Sequence, residues 1–341
     1  MTRGPDVAVV GGGIVGLAAA DALVRRGADV LVLERDAPGS GQSAGVGRGF
    51  RHLHATAEQI GDAVRARAAW DAWSARAGEP LVGEEGALRL GGDVAADAAR
   101  LRAAGVAAAV VERAGERHPA LREDAGPLLW DPRGGAIRAR RAIEWLGAEL
   151  GERVRRTDVL GVHGDGVATS DGTLPCGHVV LCAGAGTERL WPHVTMRRIV
   201  HLRVTFAAPP PAGAAWGAAT WADRSGRLGG LTYGVADGPG RFALGLAELD
   251  AQPAPEDPAA DAVGPGVDLD PVRRRVHAYA RAAFPGLGPP LDEVVRLLTV
   301  LPGEDEDAYV LQRRPALTVV AGHNLFKLAP LLGEEVAGAV E

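Results

Sequence analysis

The chain has 341 residues, enough for one large domain or two intertwined ones. Apolar residues make up 47% and charged residues 23%, with a net charge of −6. That balance suits a soluble globular protein and speaks against nucleic-acid binding, which needs clustered positive charge.

No stretch approaches the roughly eighteen uninterrupted apolar residues of a membrane-spanning helix, so no membrane partner is expected. Residues 1–6 run straight into a strand and lack the features of a secretion signal. The only cysteines, Cys176 and Cys182, read as reduced thiols of a cytoplasmic enzyme. Lys327 is the only lysine; every other basic side chain is arginine or histidine. A GC-rich coding bias explains the drift to arginine, so a lysine kept against it draws notice.

Residues 6–10 are a short apolar run closed by Gly11, as in a buried parallel strand. Residues 14–26 carry Leu17, Leu23 and Val24 among alanines, with Gly27 as a helix stop. Asp21, Arg25 and Arg26 fall on its exposed face by pattern. Residues 29–33 form a second strand, ending at Glu34. Residues 38–49, rich in glycine and serine, read as a loop. Thr56 and Gln59 have the spacing of a capping box, and Ile60, Val64, Trp70 and Trp73 give residues 56–77 a buried helical stripe.

Further helices are expected at residues 95–105 and 141–150, and strands at 154–162, 167–170 and 178–182. From 201 to 247, strand follows strand with Gly and Pro turns, which suggests an antiparallel sheet. Residues 251–270 read as a solvated acidic loop and 304–307 as a solvated turn. A helix at 271–284, strands at 308–310 and 317–320, and a closing helix at 328–339 complete the chain.

Three features at the N-terminus coincide. Gly11-x-Gly13-x-x-Gly16 follows a strand, opens a helix, and is followed by an acid at the end of the next strand, Glu34. Gly11 permits the tight turn, Gly13 lets backbone approach a pyrophosphate, and Gly16 lets helix and strand pack closely. Helix N–H groups beginning at Ile14 and Val15 then face the phosphates. Glu34 accepts from ribose hydroxyls. The long loop with Arg48 and Arg51, the apolar strand ending in small residues at 179–185, and the antiparallel sheet favour FAD over NAD.

With these residues in view, the chain resembles the D-amino-acid-oxidase superfamily, within it the monomeric sarcosine oxidase and N-methyltryptophan oxidase branch. The resemblance runs through residues 7–34, Gly47-Arg48-Gly49-Phe50-Arg51-His52, residues 70–92, residues 179–184, and Ala321-Gly322-His323-Asn324-Leu325-Phe326-Lys327. It implies an α/β fold, α+β overall: a Rossmann-like FAD-binding domain from residues 1–80, 140–195 and 300–341, and an interleaved antiparallel-sheet substrate domain from 81–139 and 196–299.

The resemblance also implies roles. Arg48 lies near the flavin, and Arg51 and Lys327 bind a substrate carboxylate, a chemistry that an arginine fork and an ammonium suit. These three are the expected catalytic residues. Arg35, Ser43, Val159, Ala183, Gly184, Gly322 and Phe326 join Arg48, Lys327 and the glycine-motif residues in the expected cofactor site. Tyr233, Arg241 and His323 are expected in the substrate pocket. His52 reads as a positioned group outside direct contact, and the histidines show no metal-ligand spacing.

The chain departs from the branch in two ways. Residues 295–302 match the stretch that carries a flavin-linked cysteine, yet contain none, so non-covalent FAD is expected. The lysine that assists oxygen falls near Ala243 and a substrate-side histidine near Ala247.

The activity implied is oxidation of the C–N bond of a small amine, an amino acid or N-alkyl amino acid, by hydride transfer to flavin N5. The alternatives are a dehydrogenase or biosynthetic oxidoreductase with a non-oxygen acceptor, and a non-catalytic FAD-binding subunit. A monomer or small homo-oligomer is expected. The branch's members continue past the closing helix, so a C-terminal tail is missing or dispensable.

Overall fold

The computed structural model describes residues 4–113, 115, 117–208, 217–247, 267–302 and 307–340. Among them lie seven α-helices: α1 (Ile14–Arg25), α2 (Ala57–Ala77), α3 (Val94–Ala103), α4 (Ala139–Leu150), α5 (Thr187–Leu190), α6 (Asp270–Ala283) and α7 (Ala329–Val340).

The apolar run Val7–Val10 becomes a central strand of a six-stranded sheet. Its order is Tyr309–Arg314, Leu317–Gly322, His178–Leu181, Val7–Val10, Val30–Glu34 and Val154–Arg156. All neighbours are parallel except the first pair. Burial on both faces explains the unbroken apolar runs. Val7, Val9, Val32 and Val180 pack with α1, α4 and α7. Val10, Leu33, Val179 and Leu181 pack with Val159 and Val167 of a small three-stranded sheet on the other face.

An eight-stranded sheet runs in the order Pro290–Val300, Arg197–Ala207, Arg241–Leu246, Thr232–Ala236, Thr220–Asp223, Ala87–Leu90, Leu128–Asp131 and Ala109–Val111. Only Thr220–Asp223 and Ala87–Leu90 pair in parallel. Alternation sorts its side chains. Leu202, Val204, Phe206, Phe242 and Leu244 face Val272, Val276 and Tyr279 of α6. Arg203 and Tyr233, both registered opposite Gly245, share the other face, where His201 is opposite Arg296.

The two main sheets draw on alternating stretches of chain, and the strand ends of the first and one face of the second border the same space. Helix α7 closes the first sheet by packing on α1. A side-chain carbon on Gly333 would fall 2.6 Å from the Ala18 carbonyl oxygen, so glycine sets the helix–helix distance. Helix α2 begins at a complete capping box between Thr56 and Gln59. Trp70 of α2 stacks on Phe326 with ring centroids 6.3 Å apart, and its Nε1 donates to the Lys327 carbonyl at 2.8 Å.

Several expectations need correction. The loop at 38–49 ends in a strand, Gly47–Phe50, paired with Gly135–Arg138. Asp21 is buried rather than exposed, because Arg25 and Arg76 donate to it at 3.1 and 2.7 Å. The strand at 154–162 breaks into Val154–Arg156 and Val159–His163. Of the loop at 251–270, residues 251–266 lie outside the described residues, and Asp270 opens α6. In the acidic run, residues 304–306 lie outside the described residues, while Asp307 is buried, not solvated.

Gly333→Ala is expected to lower stability by about 1–3 kcal/mol through overpacking of α7 on α1. Gly338→Ala, whose new carbon would meet nothing closer than Arg26 Nη1 at 3.7 Å, should leave it nearly unchanged. Thermal denaturation of the two variants beside wild type checks this.

Candidate active site

The strand ends of the parallel sheet and one face of the eight-stranded sheet surround a cavity of ≈ 800 Å³. At its parallel-sheet end, Gly11 adopts φ +104°, and a carbon on it would fall 2.5 Å from the Cys182 carbonyl oxygen. Only glycine takes that turn without strain. Gly16 lies behind the wall, where a carbon would fall 2.0 Å from the Gly11 carbonyl oxygen.

Gly13 and Ile14 face the cavity at the start of α1, whose N-cap makes no side-chain hydrogen bond. Ser43 Oγ accepts from the Ile14 N–H at 3.0 Å. Val15, Ala183 and Gly184 line the same end.

Glu34 holds its carboxylate at the strand end by accepting from the N–H groups of Gly12 at 2.6 Å and Asp36 at 2.9 Å. Arg35, Thr157, Asp158 and Val159 continue this wall, and the break between the strands at 154–163 places Thr157 and Asp158 there. A helix N-terminus whose own cap residue adds no side chain, glycines whose side chains would fill the approach, and an acid at the next strand end fit a dinucleotide.

At the other end, Lys327 sits in a 3₁₀ turn, Leu325–Leu328, that leads into α7. Its Nζ donates to Asp307 Oδ1 at 2.5 Å, while Arg51 Nη2 donates to Asp307 Oδ2 at 3.1 Å. His54 Nδ1 lies 2.7 Å from Oδ2, and Asn324, at φ 55°, donates to Oδ1 at 3.1 Å. The expected pair of cations therefore comes together around the chain's own carboxylate. Burial alone would raise the Asp307 carboxyl, but Lys327, Arg51 and the His54 bond drive it far below the usual carboxylate range. Burial, then Lys327, lowers His54 to about 4, so it is neutral near pH 7.

Arg48 lies between the two ends. It donates to the carbonyls of Gly47 at 2.9 Å, Gln42 at 3.1 Å, and Ala44, and its guanidinium lies 5.6 Å from the Phe326 ring centroid. Burial, then Arg296 and Arg203, holds it well below the usual arginine range. Tyr233, Gly322 and His323 also line the cavity.

Arg241 does not line the cavity. It starts its strand at the sheet's outer end, where it is paired with Asp292. His52 also lies outside the lining; its Nδ1 is 2.9 Å from Asp131, which anchors the turn through Gly134. Among the described residues no cluster of His, Cys, Asp or Glu could hold a metal ion, and no helix is long and apolar enough to cross a membrane.

Residues missed in the sequence are Asp307, His54, His201, Arg203 and Arg296. Strand alternation carried a signal for three of them. His201 and Arg203 alternate with Leu202 and Val204, and Arg296 alternates with Val295 and Leu297, which places polar groups on one face of the sheet.

The pH dependence follows from His54. Its folded-state value is depressed below the ordinary ~6.5, so its neutral form stabilises the fold above that value. That stability is lost as pH falls toward about 4. Wild type should lose melting temperature steadily between these limits, and His54→Asn should lose less. Equal losses would contradict the assignment.

A family model described as "FAD dependent oxidoreductase" (DAO) matches residues 6–339. Bifunctional proteins ThiO/ThiG of Trichormus variabilis and of a Nostoc species are each 30% identical, over 62% and 61% of this chain and 35% of each relative. The matched region thus spans about a third of those relatives' length.

Among solved structures, NikD, described as an unusual amino acid oxidase essential for nikkomycin biosynthesis, is 25% identical with a TM-score of 0.82, covering 99% of this chain and 94% of that one. Glycine oxidase from Geobacillus kaustophilus shares the fold at 21% identity and a TM-score of 0.78, covering 98% of this chain and 94% of that one.

Proposed function

This chain belongs to the FAD-dependent oxidoreductase family, and from that premise we propose that it oxidises the C–N bond of a small carboxylate-bearing amine, an amino acid or N-alkyl amino acid, by hydride transfer to flavin N5. The observation that carries the reading is Asp307. A carboxylate is gripped by Lys327 at 2.5 Å and Arg51 at 3.1 Å in the same cavity as the dinucleotide cradle. On this reading the substrate carboxylate exchanges with that of Asp307. NikD, described as an unusual amino acid oxidase, supports the substrate class.

Bound FAD supplies the two-electron acceptor. Gly13 and Ile14 at the N-terminus of α1 would hold its pyrophosphate, and Glu34 its ribose. The binding is non-covalent. Cys182, the cysteine among the cavity-lining residues, is pushed up to about 12 by burial and is a neutral, unreactive thiol.

Two cations on a carboxylate fix one end of the substrate, so the protein's contribution is orientation of the α-C–H. Loss of hydride from that carbon is driven by the lone pair of the neutral amine, which becomes an imine that water hydrolyses. No side chain need act as a strong base. The turn at Leu325–Leu328 and the start of α7 present backbone N–H groups and a positive dipole end to the same region, which favours negative charge there.

A second reading, an acceptor other than oxygen, is favoured by the sheet wall. Ala243 is buried and Ala247 lines the cavity where a branch member would carry a lysine and a histidine.

Anaerobic addition of amino acids, N-methyl amino acids and simple amines to the flavin-loaded protein tests the proposal. Carboxylate-bearing amines should bleach the flavin band, and Lys327→Gln should weaken or abolish bleaching by at least about tenfold, the worth of one charge-assisted contact. Bleaching by no amine, with dithionite still reducing the flavin, would exclude the reading. Admitting air then separates an oxidase from a dehydrogenase.

A further inference from the structure

Three of the chain's seven tryptophans lie in one line behind the cavity, within a single apolar cluster. Trp70 and Trp73 sit three residues apart on one face of α2, and Trp145 meets Trp73 from α4. The ring centroids of Trp70 and Trp73 are 5.1 Å apart, in edge-on contact, and those of Trp73 and Trp145 are 5.5 Å apart, tilted.

The inner end meets the cavity wall. Phe326 and Lys327 line the cavity, whereas none of the three tryptophans does. Trp70 stacks on Phe326 at an interplanar angle of 4°, and its Nε1 donates to the Lys327 carbonyl at 2.8 Å. A ring stack and a hydrogen bond therefore join Trp70 to two residues expected against the cofactor.

The outer end meets water. Trp70 is 0% exposed, Trp73 5% and Trp145 7%. The half-buried Arg76 lies over the Trp145 ring, 4.9 Å from its centroid. Two carboxylates match this cation, Asp21 at 2.7 Å and Glu149 at 3.3 Å, so no bare positive charge rests against the ring. Packing accounts for indoles in edge-on contact, but phenylalanine or leucine fills such space as well. Indole differs in its chemistry: it gives up one electron readily, and a neighbouring indole in contact can replace it.

We propose that Trp70, Trp73 and Trp145 form an electron path from the surface to the cofactor, by which blue light reduces bound FAD when no substrate is present. Trp70 gives one electron to the light-excited flavin across Phe326. Trp73 then refills Trp70, Trp145 refills Trp73, and a thiol in solution refills Trp145 at the surface. Two such passages consume one dithiol, which closes to its disulfide. Its two electrons go to the flavin, and the protons it releases balance those the flavin takes up. The inference rests on FAD in the cavity and goes beyond amine oxidation. Tyr233 and Trp221 also line the cavity. Tyr233 is paired with His201 at 3.1 Å and Trp221 donates to the buried Tyr279 at 2.9 Å, so neither starts a line of indoles leading outward.

The test illuminates the FAD-loaded protein anaerobically in the presence of dithiothreitol, with no amine added. Transient absorption after a flash follows the tryptophan radical, and the flavin band follows reduction under steady light. Wild type should give a long-lived tryptophan radical and should bleach. Trp145→Phe should lose the long-lived radical and bleach far more slowly, because the vacancy stops at buried Trp73 and is refilled from the flavin before a thiol can reach it. Trp145→Tyr, whose phenol can also be oxidised, should keep part of both signals. FAD affinity should be the same in all three proteins, since Trp145 lies outside the cavity lining.

No tryptophan radical in wild type, or an unchanged radical lifetime in Trp145→Phe, overturns the proposal. So does loss of the signal in Trp221→Phe with Trp145→Phe unaffected, which would start the path at the antiparallel wall instead. With no amine present, none of these results bears on amine oxidation, so the two readings stand or fall separately.

Discussion

The buried carboxylate of Asp307 ties the site together. Lysine is almost never buried without a partner, yet Lys327 is 3% exposed. Asp307 makes this possible by accepting from Lys327, Arg51 and Asn324 at once, with His54 on the same carboxylate. These partners come from two separated parts of the chain and Asp307 from a third, so the ion cluster fixes the stretch after Phe50, the turn before α7 and the segment before the last two strands in one arrangement. The Trp70 bond to the Lys327 carbonyl and the Trp70–Phe326 stack hold the lysine's backbone from behind.

The rest of the cavity follows a similar rule of charge. The parallel-sheet end offers backbone N–H groups and a helix dipole, a neutral way to hold phosphate. The antiparallel wall offers guanidiniums. Arg48, Arg203 and Arg296 crowd together, and Asp237 is bonded to Arg203 and to the Gly47 N–H. Each end is therefore complementary to a different anion, and glycines at 11, 45 and 245 keep the approaches clear where a side chain would collide.

Much of this was legible in the sequence. The strand–glycine–helix–acid order identified the cradle because each glycine has a distinct steric duty. The Thr56–Gln59 spacing marked the cap of α2, and the single lysine pointed to the clamp. What escaped notice depended on tertiary contact. Asp307 closes an acidic run that reads as solvent-facing, and nothing local reveals that it folds onto two cations. Arg241 shares its strand parity with Ala243, but position along the strand decides depth: at the outer end it meets Asp292, while Arg203 on the neighbouring strand reaches the cavity. Asp21 looked exposed because Arg76, its partner at 2.7 Å, comes from another helix.

The central claim is that the Arg51–Lys327 pair is a carboxylate site whose internal occupant can be exchanged. It is tested most directly by measuring the affinity of the flavin-loaded Asp307→Ala variant for acetate, with wild type alongside. Removing the occupant leaves two cations facing a space the size of a small carboxylate. Acetate should therefore bind the variant at least about tenfold more tightly and restore part of its lost thermal stability. Equal affinity in the two proteins, with Asp307→Ala folded and loaded with FAD, would contradict the account.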